Sequence, residues 1–551
     1  MSLFLEIFAF LTVLLRGATL AAQALVLGGL VFKAALAGPL AAAMGPGHAR
    51  TVAAAERFLR WSCWALAGLH LLGAFGKAAV LRQASELEWV EALGATFVVA
   101  SLAAAAAAIA IGTLIRRESK QSWALLAVLA AIAVAGMTAT SHAAARLEMR
   151  EVLVSAVVLH QLGAAAWIGG LPYFLFALNR CEGAEATRAI GRRYSQISMA
   201  AVATLFVGGM VMALSYVDSL GALHGTAYGA MLTTKVMLFG GLLLLGLGNY
   251  RLVERLRRDP ATPTLRLKRF AEVEMGTGLA LFFVAASLTS IPPSIDLPND
   301  RLSMSEIVER MAPRWPPRLV SPDLSELSNR TIAEKATKAA AVQRTTTATP
   351  VTEGATQVTP DTEADAAWSE FNHNWAGLFV LAIGLLALAE RTGKAPWARH
   401  WPLVFLGLAV FLFIRSDPEN WPLGNNPFFT SFLDPEVAQH RIIILLVVAF
   451  GAFEWAVRTG RLTNPRAAYV FPVLTAVGGS FLLAHSHAIG NFKEELLIEL
   501  SHLPIGALGI VAGWSRWLEL RHEGPEGVWA SWLWRWCFVA IGLILLFYRE
   551  M

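Results

Sequence analysis

The sequence predicts an all-α polytopic membrane protein of about 14 transmembrane helices, and three observations lead to this prediction. The 551-residue chain has a mean hydropathy of +0.53, and only 15% of its residues are charged, whereas soluble domains carry nearer a quarter. Apolar runs of about 20 residues, long enough to cross a bilayer as a helix, recur along the chain. These runs form a group of eight and a group of six, separated by a polar stretch.

The first group of apolar segments predicts an eight-span membrane domain over residues 1–291. The first segment holds an acid, Glu6, and lacks a basic start, which favours a membrane helix over a cleaved signal peptide. Stretches of small residues such as SLAAAAAAIAIG (101–112) let neighbouring membrane helices approach closely. The eight segments lie at roughly 5–35, 61–81, 92–115, 122–142, 151–178, 197–217, 229–250 and 272–291.

The polar stretch over residues 292–372 predicts a Pro- and Thr-rich linker. Its middle, TTTATPVTEGATQVTP, has low hydrophobicity and few aromatics, so the linker is predicted to be partly disordered. The remaining residues, 373–551, predict a second membrane domain of six spans. Those spans lie at roughly 374–390, 401–415, 441–457, 468–485, 496–515 and 531–549.

The basic residues predict how the chain is oriented in the membrane. Lys and Arg gather in alternate loops, most clearly in RLVERLRRDPATPTLRLKRF (251–270), and the intervening loops are nearly free of them. Because cytoplasmic loops carry the excess of Lys and Arg, the N-terminus, the linker and the C-terminus are predicted to be extracytoplasmic. The same loops account for the basic pI of about 9.2 without nucleic-acid binding.

Five histidines of the second domain fall at predicted outer ends of spans, three of them in the stretch HSHAIGNFKEELLIELSH (485–502). Neutral imidazole is the commonest protein metal ligand and suits copper and zinc. The alternative is a structural polar network, since histidine also favours the membrane interface. The five are His373, His440, His485, His487 and His502.

Two glutamates of the same stretch can complete the predicted outer metal site. If the chain is helical from Phe492 onward, Glu495, Glu499 and His502 follow i, i+4, i+7 spacing and share one face. The HxH pair before them cannot share a helical face and is placed in a turn.

In the first domain, His142 and His160 stand on consecutive antiparallel spans near the predicted outer surface. Ionisable groups within a membrane are costly and tend to be functional, so both are candidate metal ligands. Three methionines, Met149, Met210 and Met212, offer thioether sulfur, which favours Cu(I), although methionine in a membrane helix usually serves as apolar filling.

The sequence lacks the motifs of thiolate metal sites and of ATP-driven metal pumps. The three cysteines form no CxxC pair. The chain carries no P-loop, no DKTGT phosphorylation sequence and no CPC-like membrane thiolate pair. Transport of a metal by this chain would therefore run down a gradient or be coupled to another ion, and no catalytic residue is predicted.

Four stretches of the first domain resemble the copper resistance D (CopD) family of bacterial inner-membrane proteins. They are SHAA (141–144), LHQLGAAAWIGGL (159–171), RRYSQISMAAVATLFVGGMVMAL (192–214) and YGAMLTTKVMLFGGLLLLGLGNYRL (228–252).

The resemblance implies a multi-pass protein of the bacterial inner membrane that handles copper, as Cu(I) or Cu(II), often with a periplasmic copper-binding protein of the CopC type. It implies that His142 and His160 are copper ligands, with Trp167, Gly169 and Gly170 shaping the helix packing beside them. The six-span domain lies outside the motif set and resembles C-terminal extensions of longer family members.

The sequence leaves four functions open. The first is copper uptake, in which outer histidines capture the ion and the first domain conducts it. The second is a redox protein with heme b or copper, because His440 with His485, His487 or His502 would supply two facing imidazoles. The third is a membrane copper chaperone that does not transport. The fourth is a second domain that only scaffolds the first.

Overall fold

The protein is described here by a computed structural model that covers residues 2–85, 87–116, 119–181, 183–298, 301–313, 315–322, 363–429, 432, 435–484 and 493–549. These residues form helices and the loops between them, and their β-pairing is limited to an isolated bridge between Asn420 and Asn426. The prediction of an all-α protein is confirmed. The predicted disorder in the middle of the linker concerns residues outside the described ranges.

Fourteen of the described helices are long and apolar enough to cross a membrane, in agreement with the predicted number. They lie at Leu11–Ala37, Gly47–Gln83, Thr96–Leu114, Lys120–Ala139, Arg150–Arg180, Ala184–Tyr216, Ala227–Arg258, Leu265–Leu288, Ala366–Arg391, Pro396–Arg415, His440–Arg458, Pro465–Ala484, Leu496–Arg521 and Pro525–Leu546.

The helices of the N-terminal half are numbered α1 to α14 along the chain. Two segments have the wider π-helical turn, Lys33–Ala37 after α1 and Ala165–Gly169 between α8 and α9. The α-helices are α1 (Ser2–Phe32), α2 (Ala41–Met44), α3 (Gly47–Ser85), α4 (Trp89–Gly94), α5 (Thr96–Leu114), α6 (Lys120–Ala139), α7 (His142–Ala145), α8 (Arg150–Ala164), α9 (Leu171–Arg180), α10 (Ala184–Tyr216), α11 (Ala222–Gly225), α12 (Ala227–Arg258), α13 (Leu265–Leu288) and α14 (Met304–Arg310).

The helices after the linker are numbered α15 to α20. Short 3-10 segments at Pro396–Leu403 and Pro465–Tyr469 precede two of them, where proline occupies the first turn and removes no helical hydrogen bond. The α-helices are α15 (Glu363–Arg391), α16 (Val404–Arg415), α17 (Pro435–Arg458), α18 (Val470–Ala484), α19 (Lys493–Arg521) and α20 (Pro525–Leu546).

The contacts divide the chain into two compact units that do not follow chain order. The first unit consists of Met1–Leu302, Pro472–Phe492 and His502–Ser531, and the second of Ser303–Phe471, Lys493–Ser501 and Trp532–Met551. The sequence-based domains over residues 1–291, 292–372 and 373–551 stay a prediction.

The first unit is held together by close approach between helix backbones. Helix α1 packs against α3, α13 and the Ala165–Gly169 segment, and α8 packs along α10. A Cβ added to Gly169 would lie 1.9 Å from the carbonyl oxygen of Ala24, and one added to Gly28 would lie 2.2 Å from the carbonyl carbon of Gly169. Only glycine permits this spacing, as is common where membrane helices cross.

The second unit has an aromatic core that surrounds a buried ion pair. The rings of Trp401, Phe471 and Trp534 pack with centroids 5.4 to 6.0 Å apart. The Arg458 guanidinium lies 4.6 Å from the Trp401 ring centroid, and its Nε donates to the carboxylate of the buried Glu454 at 2.7 Å. Buried charges are tolerated when they are paired and hydrogen-bonded in this way.

Candidate metal centre

His160 is fixed in one orientation by the helix beside it. It lies in α8 and its Nδ1–H donates to the backbone carbonyl of Leu205 in α10, 2.9 Å away. Gly208 and Gly209 make room for the ring, since a Cβ on either would stand 3.2 Å or less from an atom of His160. A histidine that holds a metal usually donates its other ring N–H to an oxygen, so this contact leaves Nε2 as the nitrogen available to a ligand.

A short chain of amides and hydroxyls crosses the unit next to His160. The Gln23 amide of α1 donates to the side-chain oxygen of Gln161 at 2.8 Å, and Gln161 donates to the Thr138 hydroxyl of α6 at 3.3 Å. These groups pair with one another in an apolar environment, where an unpaired polar group is costly, although Oε1 of Gln23 is buried without a partner among the described residues. Three spans are thereby joined at the level of His160.

His142 begins the short helix α7, between two spans, and its Nε2 is buried with no hydrogen-bond partner among the described residues. Burial lowers the pKa of His142 below its ordinary value. The backbone of Thr289 and the carboxylate of Asp296 oppose this shift, whereas the charges of Arg16 and Arg146 add to it. His142 is therefore neutral at neutral pH, which is the form that binds metals.

An ion pair joins the loop after His142 to the loop that follows α13. The Arg146 guanidinium is 2.7 Å from a carboxylate oxygen of Asp296, and both side chains are partly solvent-exposed. An exposed ion pair of this kind contributes about 0–1 kcal/mol to stability. Its main effect at this site is on the electrostatic potential at His142.

Within the described residues, no three His, Cys, Asp or Glu side chains form a group able to hold a metal ion. The three cysteines are free, with Cys63 and Cys537 buried. A joint copper site at His142 and His160 therefore stays a prediction.

In the second unit, His440 is paired with a buried carboxylate. Its Nδ1 lies 2.7 Å from Oδ1 of Asp417, and Asp417 is only 8% exposed. Arg441 is also buried and donates to the backbone carbonyls of Phe413 and Trp421, which fixes the loop that carries Asp417. A carboxylate on Nδ1 orients the ring and raises the basicity of Nε2, as in many metal sites.

His373 and the candidates near α19 are placed as follows. The Nδ1–H of His373 donates to the Ser369 carbonyl at 2.9 Å, and its ring stacks on Tyr548 at a centroid distance of 4.1 Å. Glu499 is buried, and α19 runs through it and His502.

Three further candidates cannot be placed. Helix α19 also runs through Glu495, but the side chain of Glu495 lies outside the described part of the chain. His485 and His487 lie outside the described residues altogether. The predicted metal site formed by Glu495, Glu499 and His502 with His485 or His487 therefore stays a prediction.

A buried carboxylate that was not among the predicted site residues lies at the centre of the first unit. Glu274 of α13 accepts the indole N–H of Trp167 at 2.6 Å and the side-chain amide N–H of Asn249 at 2.8 Å. Trp167 sits in the Ala165–Gly169 segment, and its backbone carbonyl accepts the Tyr194 hydroxyl at 2.6 Å. The wider π turn, a feature frequent at functional sites, presents both the ring and the carbonyl of Trp167 to these partners.

The part of the chain that matches a known family includes helices that make these contacts. Residues 188–288 match the family profile described as Copper resistance protein D. This part of the chain is similar to the CopD family. The match begins within α10, ends with α13 and covers about a fifth of the 551 residues.

The chain is also similar to a relative that is named for copper transport. Over 157 residues the chain is 29% identical to the Copper transport protein CutJ of Bacillus subtilis (strain 168). The alignment spans 28% of this chain and 28% of the relative's length. No solved structure matches the chain.

The range that matches CopD contains residues that the sequence did not predict to be site residues. Glu274, Asn249 and the Leu205 carbonyl lie in the matched range. Glu274 and the Leu205 carbonyl contact side chains of the α8–α9 span, and Asn249 donates to Glu274. One signal for Glu274 was present in the sequence, because an acid within an apolar membrane segment is a functional candidate by default. The Leu205 carbonyl gave no signal, since every residue has one.

Proposed function

We propose that this protein captures copper at extracytoplasmic histidines and moves it across the bacterial inner membrane. The observation that carries this proposal is the CopD match, because α10 to α13 also supply the carbonyl that orients His160 and the carboxylate that orients Trp167. The relative named as a copper transport protein supports the same cargo. Copper here is the substrate, delivered by a periplasmic copper-binding protein of the CopC type.

The proposed first-unit ligands are His160 and His142. His160 offers Nε2 because Nδ1 is engaged by a carbonyl, and the Nε2 of His142 is buried without a partner. Imidazole nitrogen accepts copper in either oxidation state, so the ligands leave Cu(I) and Cu(II) both open. In the second unit, His440 oriented by Asp417 is the proposed site of first capture.

Replacing both first-unit histidines is expected to abolish copper flux. Liposomes containing purified His142→Ala/His160→Ala protein should take up copper at the rate of protein-free liposomes, because two imidazole ligands are lost at once. The measurement is copper uptake with time by elemental analysis. The matched control is His522→Ala, in a loop between spans, where His522 Nδ1 accepts the Gly524 amide N–H.

Wild-type flux in the double variant would exclude this transport site. Elemental analysis and an optical spectrum of the same purified protein separate the remaining alternatives. Bound copper without flux indicates a chaperone, whereas a Soret band indicates heme b and a redox role.

The pH range of copper capture is expected to move in opposite directions in two charge variants. Arg146→Gln removes a positive charge and leaves Asp296 unpaired, so the pKa of His142 rises and capture fails at a higher pH than in the wild type. Asp296→Asn removes the negative charge, so the pKa falls and capture persists to lower pH. Initial uptake rates between pH 5 and 8 test this, and equal profiles for the two variants would contradict it.

A further inference from the structure

A small cavity in the first unit lies among cationic side chains. It has a volume of about 50 Å³ and lies between α1, α3, α5 and α6. A few water molecules or one small ion fill such a volume. Its charged and titratable lining residues are Arg16, His70 and Lys77, and none of the described lining residues is Asp or Glu.

The donors of this cavity are incompletely satisfied. The Arg16 guanidinium donates to the Thr140 hydroxyl at 2.7 Å, but its Nε is buried without a partner among the described residues. His70 is only 6% exposed, and its Nε2 is likewise buried with no partner in the described part of the chain. Lys77 forms no hydrogen bond or ion pair with a described residue. Three nitrogen-bearing groups thus line one space with little protein acceptor between them.

The hydroxyls around the cavity do not supply the missing negative charge. The Thr19 hydroxyl donates to the Leu15 carbonyl and the Ser101 hydroxyl to the Phe97 carbonyl. The Thr140 hydroxyl donates to the Met137 carbonyl while it accepts from Arg16. A buried cation without a counter-charge is costly, and a metal ion would add to the repulsion.

From this juxtaposition we propose that the cavity binds one small monovalent inorganic anion of chloride size. Arg16 Nε, His70 Nε2–H and the Lys77 ammonium donate to the anion, and Arg16 stays anchored through Thr140. This site goes beyond copper transport and does not depend on it. The charge of Arg16 also acts on His142, so a bound anion would reduce the repulsion that a copper cation meets there.

The test uses the metal-free, full-length protein in detergent. The protein is held in potassium gluconate, whose anion is too large for the cavity, and chloride is added at constant ionic strength. We expect a saturable rise in the thermal unfolding midpoint, because a ligand that binds only the folded state stabilises it. Equilibrium dialysis with radioactive chloride should give one bound ion per chain.

Arg16→Gln and Lys77→Met should each weaken chloride binding at least about tenfold, because each removes a charged donor. The control is Arg57→Gln, which removes an exposed charge from the same helix as Lys77 and should bind chloride like the wild type. Lys77 forms no hydrogen bond with a described residue, so Lys77→Met breaks none. This variant therefore tests the proposal even if Arg16→Gln does not fold.

Two outcomes would overturn the anion site. The first is the absence of saturable chloride binding by the wild-type protein. The second is wild-type affinity in folded Lys77→Met protein. Because no copper is present, either failure leaves the proposed copper transport untouched, and loss of copper flux in the histidine variants leaves the anion site untouched.

Discussion

Gly169→Val is expected to prevent the protein from accumulating in its folded form. A Cβ at this position would lie 1.9 Å from the Ala24 carbonyl oxygen and 2.5 Å from its carbonyl carbon. These are backbone atoms of α1, so no side-chain rotation relieves the clash. Overpacking a core usually costs about 1–3 kcal/mol, and separating two helix backbones exceeds that range.

The measurement for Gly169→Val is the yield of monodisperse protein after extraction from the membrane, together with its thermal unfolding midpoint. The matched control is Gly240→Ala in α12, where an added Cβ would meet no heavy atom within 4 Å. That variant should match or slightly exceed wild-type stability, since alanine is the better helix former. Wild-type yield and unfolding midpoint for Gly169→Val would show that the contact between α1 and the Ala165–Gly169 segment is not needed for the fold.

Glu274→Ala is expected to have the second-largest effect on stability. It leaves the Trp167 indole N–H and the Asn249 amide N–H buried without their acceptor. Each unsatisfied buried donor costs about 1–3 kcal/mol, so the two together lower the free energy of unfolding by about 2–6 kcal/mol. Unfolding followed by circular dichroism in mixed detergent micelles measures this loss.

Glu274→Gln is the matched control for that experiment. Its amide oxygen still accepts from Trp167, and its amide N–H can donate to Oδ1 of Asn249, which is buried without a partner, once the Asn249 amide turns over. Most of the stability should therefore be retained. Equal losses in the alanine and glutamine variants would mean that the negative charge, not the hydrogen bonds, holds these helices together.

The number and type of spans could be predicted from the sequence, because a bilayer permits few alternatives. Each spanning segment must satisfy its own backbone hydrogen bonds, so it appears as an apolar run of helical length. The apolar segment at 496–515 predicted a span, and α19 covers that segment. Such features depend on residues that are close together in the chain.

The contacts that orient the candidate ligands could not be predicted in this way. The pairing of His440 with Asp417 depends on how a loop folds. The contact of His160 depends on a backbone carbonyl of another helix, which no residue type marks. No residue type marks the π turn at Trp167 in the sequence, although this turn places the indole N–H against its acceptor, Glu274.

The polar contacts of α1 have a consequence for biogenesis. Thr140, which accepts from Arg16, is 124 residues further along the chain, and Gln161, which accepts from Gln23, is 138 residues further. During synthesis, α1 enters the bilayer before these partners, so Arg16 and Gln23 meet them only after the fourth and fifth spans have followed. Helix α1 is therefore not locked by these hydrogen bonds until five spans have been made.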